Sequence, residues 1–221
     1  MSKQQGDARR VPTTRDMISF RPMTAADVGV VPIGHQGEPD EVLRRIADLG
    51  SSAMLAFDGD RHVGQLQFRH YEPGIRSPRG LWDPLYWADF AGHAPDLPAR
   101  TLSVFCYHVG QLDDTDARDP RYQGRGLGVR LLDHFLDWAT QAGFAAVVAK
   151  AVPPHRPVMI FMGGQPATVY QTRGFETVAS WVDSELRTTV KDRGLAPDGV
   201  SPDDAARVSC CVLRLPYGSG A

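Results

Sequence analysis

Three glycines alternate with larger residues in Arg121-Tyr122-Gln123-Gly124-Arg125-Gly126-Leu127-Gly128, and an amphipathic stretch follows at once. Within it Leu132, Phe135, Leu136 and Ala139 recur at helical spacing, while Asp133, His134, Asp137 and Gln141 fall on the other faces. Gly143 stands where a glycine past the last turn would stop the helix. The glycines therefore lie on the first turn of a helix, where backbone N–H groups lack internal partners and the helix dipole adds partial positive charge. Glycine lets a ligand come close to that backbone, and Arg121 and Arg125 add full charges beside it. A phosphate or pyrophosphate is the natural guest. No Gly-Lys-Ser/Thr follows, which excludes a nucleoside-triphosphate loop, and the G-x-G-x-G spacing departs from the G-x-G-x-x-G of dinucleotide sites.

Other residues could do chemistry. Cys106 and His108 alternate in a β-type run, so they share one face of a strand and could form a nucleophile pair or two ligands. A metal needs further ligands, and no second Cys/His cluster is near in sequence. No metal is expected, and a small buried apolar cysteine is the plainer reading. Seven histidines are present, among them His70 at the end of a second β-type run.

The elements that must position these residues can be read in order. Residues 1–16 read as a disordered tail and 217–221 as a short C-terminal one. A strand at 18–22 leads to Thr24, a helix N-cap with Asp27 three residues on, in a helix broken early by Pro32 and Gly34. Residues 39–49 form a helix closed by Gly50; 53–57 and 62–71 form a hairpin about Asp58-Gly59-Asp60. Residues 72–100 carry Trp82, Tyr86, Trp87 and Phe90 among prolines and glycines, too aromatic for a linker, and read as an ordered excursion with a short helix at 84–90. A strand at 101–109 precedes a polar loop at 111–118. After the glycine loop and its helix, 144–152 is a near-continuous apolar run, as a buried central strand should be. Residues 159–164 read as a loop, 167–173 as a helix closed by Gly174, 175–185 and 206–215 as strands, and 191–204 as loop or short helix.

Arg121-x-x-Gly124-x-Gly126 resembles the Gln/Arg-x-x-Gly-x-Gly/Ala motif of the GNAT N-acetyltransferase superfamily, and Tyr170-Gln171-Thr172-Arg173-Gly174-Phe175 resembles that family's Tyr-x-x-x-Gly-Phe ending. The resemblance covers residues 17–216 and is strongest from 101 to 180. It implies one α/β (α+β) domain with a mixed central sheet of about seven strands flanked by helices. It implies a splay between the strands at 101–109 and 144–152, into which the pantetheine arm of acetyl-CoA inserts. The cosubstrate acetyl-CoA would be held by Val109, Arg121, Gln123, Gly124, Arg125, Gly126, Leu127 and Gly128. Its thioester would lie near residues 106–109, where a backbone N–H would face the thioester oxygen. Tyr170 matches the tyrosine that protonates the departing thiolate.

An attacking amine with a pKa of about 10.4 must first lose a proton. His108 is the leading base, His70 the second and Glu72 a weaker third. The reaction implied is direct transfer of an acetyl group to a primary amine on a small molecule, for which the 82–87 aromatics would supply a partly apolar pocket. Two alternatives stay open: a non-catalytic acyl-CoA-binding module, and a protein or peptide N-acetyltransferase. Family members are often homodimers. The 111–118 loop departs from the family pattern, in which the strand runs almost directly into the glycine loop.

The 221 residues suffice for one large α/β domain. A net charge of −2 implies no general attraction to nucleic acid or anionic membrane, and no apolar run is long enough to span a bilayer. Three cysteines, two of them adjacent at Cys210-Cys211, fit a reducing compartment better than a disulfide framework. With no apolar core in the first 16 residues, a cytoplasmic location is expected.

Overall fold

The computed structural model describes residues 18–73, 90, 92–115 and 117–216. The tails lie outside them, as do the proposed helix at 84–90 and its aromatic neighbours, except Phe90, which is buried.

Seven strands form one mixed sheet: β1 (Ile18–Pro22), β2 (Ala53–Asp58), β3 (Arg61–His70), β4 (Thr101–Val109), β5 (Ala146–Ala151), β6 (Glu176–Val182) and β7 (Arg207–Arg214). Their spatial order is β1-β2-β3-β4-β5-β7-β6. All neighbours are antiparallel except β4 and β5, which run parallel. A parallel pair needs a crossover, and the helix α2 (Leu127–Gln141) supplies it.

That helix buries Leu131, Leu132, Phe135 and Ala139 against the sheet, each with 0 % exposure. Burying a leucine or phenylalanine contributes about 1.5–3 kcal/mol, so this face alone fixes the helix on the strands. Gly143, at φ 75°, takes the left-handed conformation that ends it. The Thr24–Asp27 capping box forms, but it closes only a single 3₁₀ turn. Helix α1 (Pro39–Leu49) starts on a proline and stops at Gly50 as its sequence requires.

Two stretches differ from their sequence reading. Residues 159–164 are not a loop: α3 (Arg156–Met162) runs through them. Pro157 sits in its first turn, where a missing N–H costs nothing, and Gly163 closes it in the left-handed conformation. The strand expected over 175–185 ends at Val182. Asp183 then accepts hydrogen bonds from the amides of Glu185 and Leu186 (3.1 and 3.0 Å) and starts α5 (Ser184–Arg193). The short helix α4 (Ala167–Gln171) lies between α3 and β6.

Strand β4 decides what faces the site. Its register against β3 shifts between Gln67 and Phe68, which pair with Cys106 and Val104 and leave Phe105 as a bulge. Before the bulge Leu102 and Val104 join the core under α2; after it Tyr107 does, and Val109 packs against it. Cys106 and His108 thereby share the opposite face with their partners Gln67 and Gln65. Pairing with β5 stops at the same place, with Val104 opposite Ala149. Beyond it the two strands splay.

Candidate active site

A cleft of about 510 Å³ opens where β4 and β5 part and where α2 begins. Gly126 is the N-cap of α2, with φ 73° and no side-chain cap, and Gly124 has φ 67°. Among the described residues no N-cap side chain covers the first amides of this 15-residue helix. Nothing lies within 4 Å of a side chain built on Gly124, so glycine is needed there for its backbone angle. A Cβ on Gly128 would sit 2.5 Å from the Gln165 amide nitrogen, the mobile end of a side chain that could turn aside.

Of the residues expected to hold the cosubstrate, Val109, Gln123, Gly124, Gly126, Leu127 and Gly128 line this cleft. Arg121 and Arg125 are not among its lining residues. Arg121 is turned onto Asp119 by paired contacts of 3.1 and 2.6 Å, and these hold the half-buried Asp119 carboxyl at about 2. The cleft's positive charge comes instead from Arg118 and Arg156. Tyr107, Tyr122, Met159 and the Gly163-Gly164-Gln165 turn complete much of the wall.

Sequence reasoning passed over these residues because α3 was read as a loop, which hid that Arg156 and Gly163 bracket one helix. The signal was present: a proline in the first turn and a glycine just past the last are the usual bounds of a helix.

The turn after α3 reaches into the splay. The Tyr107 amide donates to the Gly163 carbonyl at 2.8 Å, and the Val152 amide to that of Gln165 at 3.0 Å. The Tyr107 N–H, one of the amides expected near a thioester, is thus already engaged.

Tyr170 has 1 % exposure and is not a lining residue; its hydroxyl lies 3.2 Å from that of Tyr107, which is. Burial, then the neighbouring hydroxyl, pushes Tyr107 well above the usual phenol range. Burial raises Tyr170 as well, so both phenols stay protonated at neutral pH.

His108 lies on the far face of β4, at 3 % exposure. Its Nδ1 accepts from the Arg118 guanidinium at 3.0 Å, and its Nε2 lies 3.2 Å from Cys106 Sγ. Burial, then the charges of His35 and Arg118, holds its pKa well below 6.5 and the ring neutral. His70 is not brought to this end of the strand: it pairs with Leu102, and Glu72 is exposed beyond it.

The model of the acetyltransferase (GNAT) family matches residues 31–162, more than half of the chain, and this protein belongs to that family. The parallel β4–β5 pair that splays behind a glycine-headed helix is the corresponding fold. No curated protein matches the chain in sequence.

Among solved structures it is similar to a GNAT acetyltransferase of Streptococcus pneumoniae, at 14 % identity over 90 % of this chain and 99 % of that one (TM-score 0.49). It is similar to a phosphinothricin acetyltransferase of Sinorhizobium meliloti in complex with acetyl-CoA, at 13 % identity over 93 % and 92 % (TM-score 0.49). A third is the ribosomal-protein-S18-alanine N-acetyltransferase of Escherichia coli, at 12 % identity over 93 % and 97 % (TM-score 0.46). The family membership rests on the sequence match and not on these distant likenesses. No helix among the described residues is long and apolar enough to cross a membrane.

Proposed function

We propose that the protein is an acetyl-CoA-dependent N-acetyltransferase that passes the acetyl group directly to a primary amine. One observation carries this reading: the uncapped amides at the start of α2 open, with Arg118 and Arg156, onto a cleft beside the splayed strands. The pyrophosphate of the cosubstrate takes those amides, and the pantetheine arm follows the wall formed by Val109 and Tyr107. The Tyr107–Tyr170 pair gives the departing thiolate a proton, with Tyr107 next to the cleft and Tyr170 behind it. His108, the expected base, lies on the face of β4 opposite Tyr107 and Val109. Its Nε2 carries the ring proton towards Cys106, so it takes a further proton only at Nδ1, once the Arg118 contact opens. The acceptor is assigned to small amines on the aromatic content of residues 82–87.

Calorimetric titration of acetyl-CoA into the protein and into an Arg156→Ala variant tests the cofactor site. Arg156 is exposed at the start of α3 and pairs with no carboxylate among the described residues, so its loss should spare the fold. One charge-assisted contact in a partly wet cleft is worth about 1 kcal/mol, which is about a fivefold loss of affinity. Absence of binding at hundred-micromolar acetyl-CoA would overturn the proposal. Binding without turnover across a panel of amines would leave the non-catalytic module instead.

A further inference from the structure

We propose that His35, Cys106 and His108 form a zinc-binding site on the face of β4 turned away from the cleft. Neighbouring positions in sequence offer only Cys106-x-His108, two ligands of a set that needs three or four. The fold supplies the third from 71 residues away. His35 Nδ1 lies 3.4 Å from Cys106 Sγ, Cys106 Sγ lies 3.2 Å from His108 Nε2, and all three ligand atoms fall within 4.8 Å of one another. Zinc–sulfur and zinc–nitrogen bonds of about 2.3 and 2.05 Å at a tetrahedral angle set the sulfur–nitrogen separation at about 3.6 Å. The observed sulfur–nitrogen separations are a few tenths of an ångström short of that, and the two ring nitrogens, within 4.8 Å of each other, would settle at about 3.3 Å as the rings turn onto the ion. One thiolate and two imidazoles suit zinc and do not suit magnesium or calcium.

The surroundings are built to hold these ligands. The loop carrying His35 is pinned to the sheet by buried amides. Gln65 Nε2 donates to the Pro32 carbonyl (2.8 Å) and Gln67 Nε2 to that of Ile33 (2.8 Å). Gly34 has φ 62°, and a side chain there would sit 3.1 Å from His108 Nε2, so the loop needs a glycine to come this close. Gln67 pairs with Cys106 in register and has 0 % exposure, yet its Oε1 has no hydrogen-bond partner among the described residues. A water in the fourth position of the metal would give that oxygen a donor. His35 is only half-buried and provides the way in. Asp114, whose carboxylate accepts from the Gly34 amide at 3.0 Å, offsets the added charge.

Coordination displaces the Cys106 thiol proton, which leaves to solvent. Arg118 now donates to His108 Nδ1, which puts the ring proton on Nε2. On binding, that proton moves to Nδ1 and Arg118 turns into the cleft it already lines. With the metal on Nε2 and the proton on Nδ1, a chain that holds zinc cannot use His108 as a base. The metal site does not depend on the acetyl-transfer reading, because its readout is metal binding.

The test uses the full-length, tag-free chain, stripped with a chelator and dialysed against zinc sulfate. We expect one zinc per chain by elemental analysis. With cobalt(II) in its place we expect a sulfur-to-cobalt charge-transfer absorption, lost in Cys106→Ser. His35→Gln should weaken zinc binding by at least about a hundredfold, since losing a ligand costs more than the roughly 10–100-fold of losing a ligand's hydrogen-bond partner. Cys210→Ser should change neither readout, since Cys210 lies in a separate apolar cluster under β7. Retention of less than half an equivalent of zinc, or equal retention in wild type, Cys106→Ser and His35→Gln, would overturn the proposal. Should either variant fail to fold, absence of the cobalt–sulfur absorption in wild type would overturn it alone.

Discussion

The Tyr107–Tyr170 pair allows a prediction in which catalysis and stability give separate answers. Both rings are buried, at 6 % and 1 % exposure, and their hydroxyls meet at 3.2 Å. Either hydroxyl is the other's partner in that contact, so removing one leaves the other buried and short of a bond. That costs about 1–3 kcal/mol, whereas removing both is nearly neutral relative to a single change. Tyr107→Phe and Tyr170→Phe should each lower the melting temperature by about 2–12 °C, and the double variant by little more than either alone.

Turnover follows a different order if the pair delivers a proton. Tyr107 lines the cleft and Tyr170 stands behind it. Tyr170→Phe should reduce kcat about ten- to a hundredfold, the low end of general-acid effects, equivalent to about 1.4–2.7 kcal/mol of barrier. Tyr107→Phe should cost at least as much, and the double variant no more than Tyr107→Phe alone, because a relay broken at its first member is already broken. Because burial raises both phenols, kcat should show no fall from phenol ionisation through neutral and moderately alkaline pH. The assay is steady-state release of free CoA thiol on folded variants, with any amine found to turn over. Unchanged kcat in Tyr170→Phe, or multiplicative losses in the double variant, would refute the relay and leave the pair as core packing.

Two further outcomes concern stability. Lys150 Nζ and Asp183 Oδ2 lie 2.6 Å apart with side chains 5 % and 12 % exposed, so Asp183→Ala strands a buried ammonium and uncaps α5. It should cost about 3–5 kcal/mol, or about 10 °C of melting temperature. Burial alone would raise Asp183, but Lys150 and the amides of Leu186 and Glu185 lower it overall. The stabilisation is therefore complete above about pH 3.9 and lost as pH falls through the lower folded value; equal melting of variant and parent at pH 7 would refute this. Burial holds His62 at about 4 against 6.5 when free. The unfolded chain then binds the extra proton between those values, so stability declines as pH falls from 6.5 towards 4, by up to about 3 kcal/mol. Melting of His62→Gln should depend less on pH across that window, and an identical slope would count against it.

Much of the fold was legible because apolar periodicity and glycine punctuation agreed. The strand at Thr101–Val109, the helix bounded by Pro39 and Gly50, and the glycine turn that opens α2 sit where their sequences put them. The glycines of the loop proved to line the cleft for a local reason, since only glycine takes φ near 70° at Gly124 and Gly126 without strain. The arginines were less legible. Arg121 is drawn to Asp119 two residues away, a contact that composition does not reveal, while Arg118 and Arg156 arrive from a loop and a helix with no local signature for the cleft. Helix α3 was hidden by its prolines: Pro153, Pro154 and Pro157 look like a terminator until Pro157 is placed in a first turn. The separation of β4 into two functional faces was legible only in part. Strict alternation puts Cys106 and His108 on one face, as found, but it also puts them with Leu102 and Val104.

The single bulged residue Phe105 breaks that continuity, and its consequences reach both proposed sites. Without the bulge, and with Phe105 paired in a regular ladder, Cys106 and His108 would continue the row of Leu102 and Val104 into the core beneath α2, and Tyr107 would point away from Tyr170. With it, Tyr107 and Val109 turn to the cleft, Cys106 and His108 turn to the loop that carries His35, and the ladder to β5 ends at the adjoining pair. One extra residue thus parts the strands, aims the tyrosine pair and gathers the His–Cys–His cluster on the reverse face. Deleting Phe105 removes the extra residue and leaves Val104 and Cys106 consecutive opposite Phe68 and Gln67, so Cys106, Tyr107 and His108 keep their faces. A folded deletion variant should therefore retain both acetyl-CoA binding and zinc binding, and loss of both would refute the register argument.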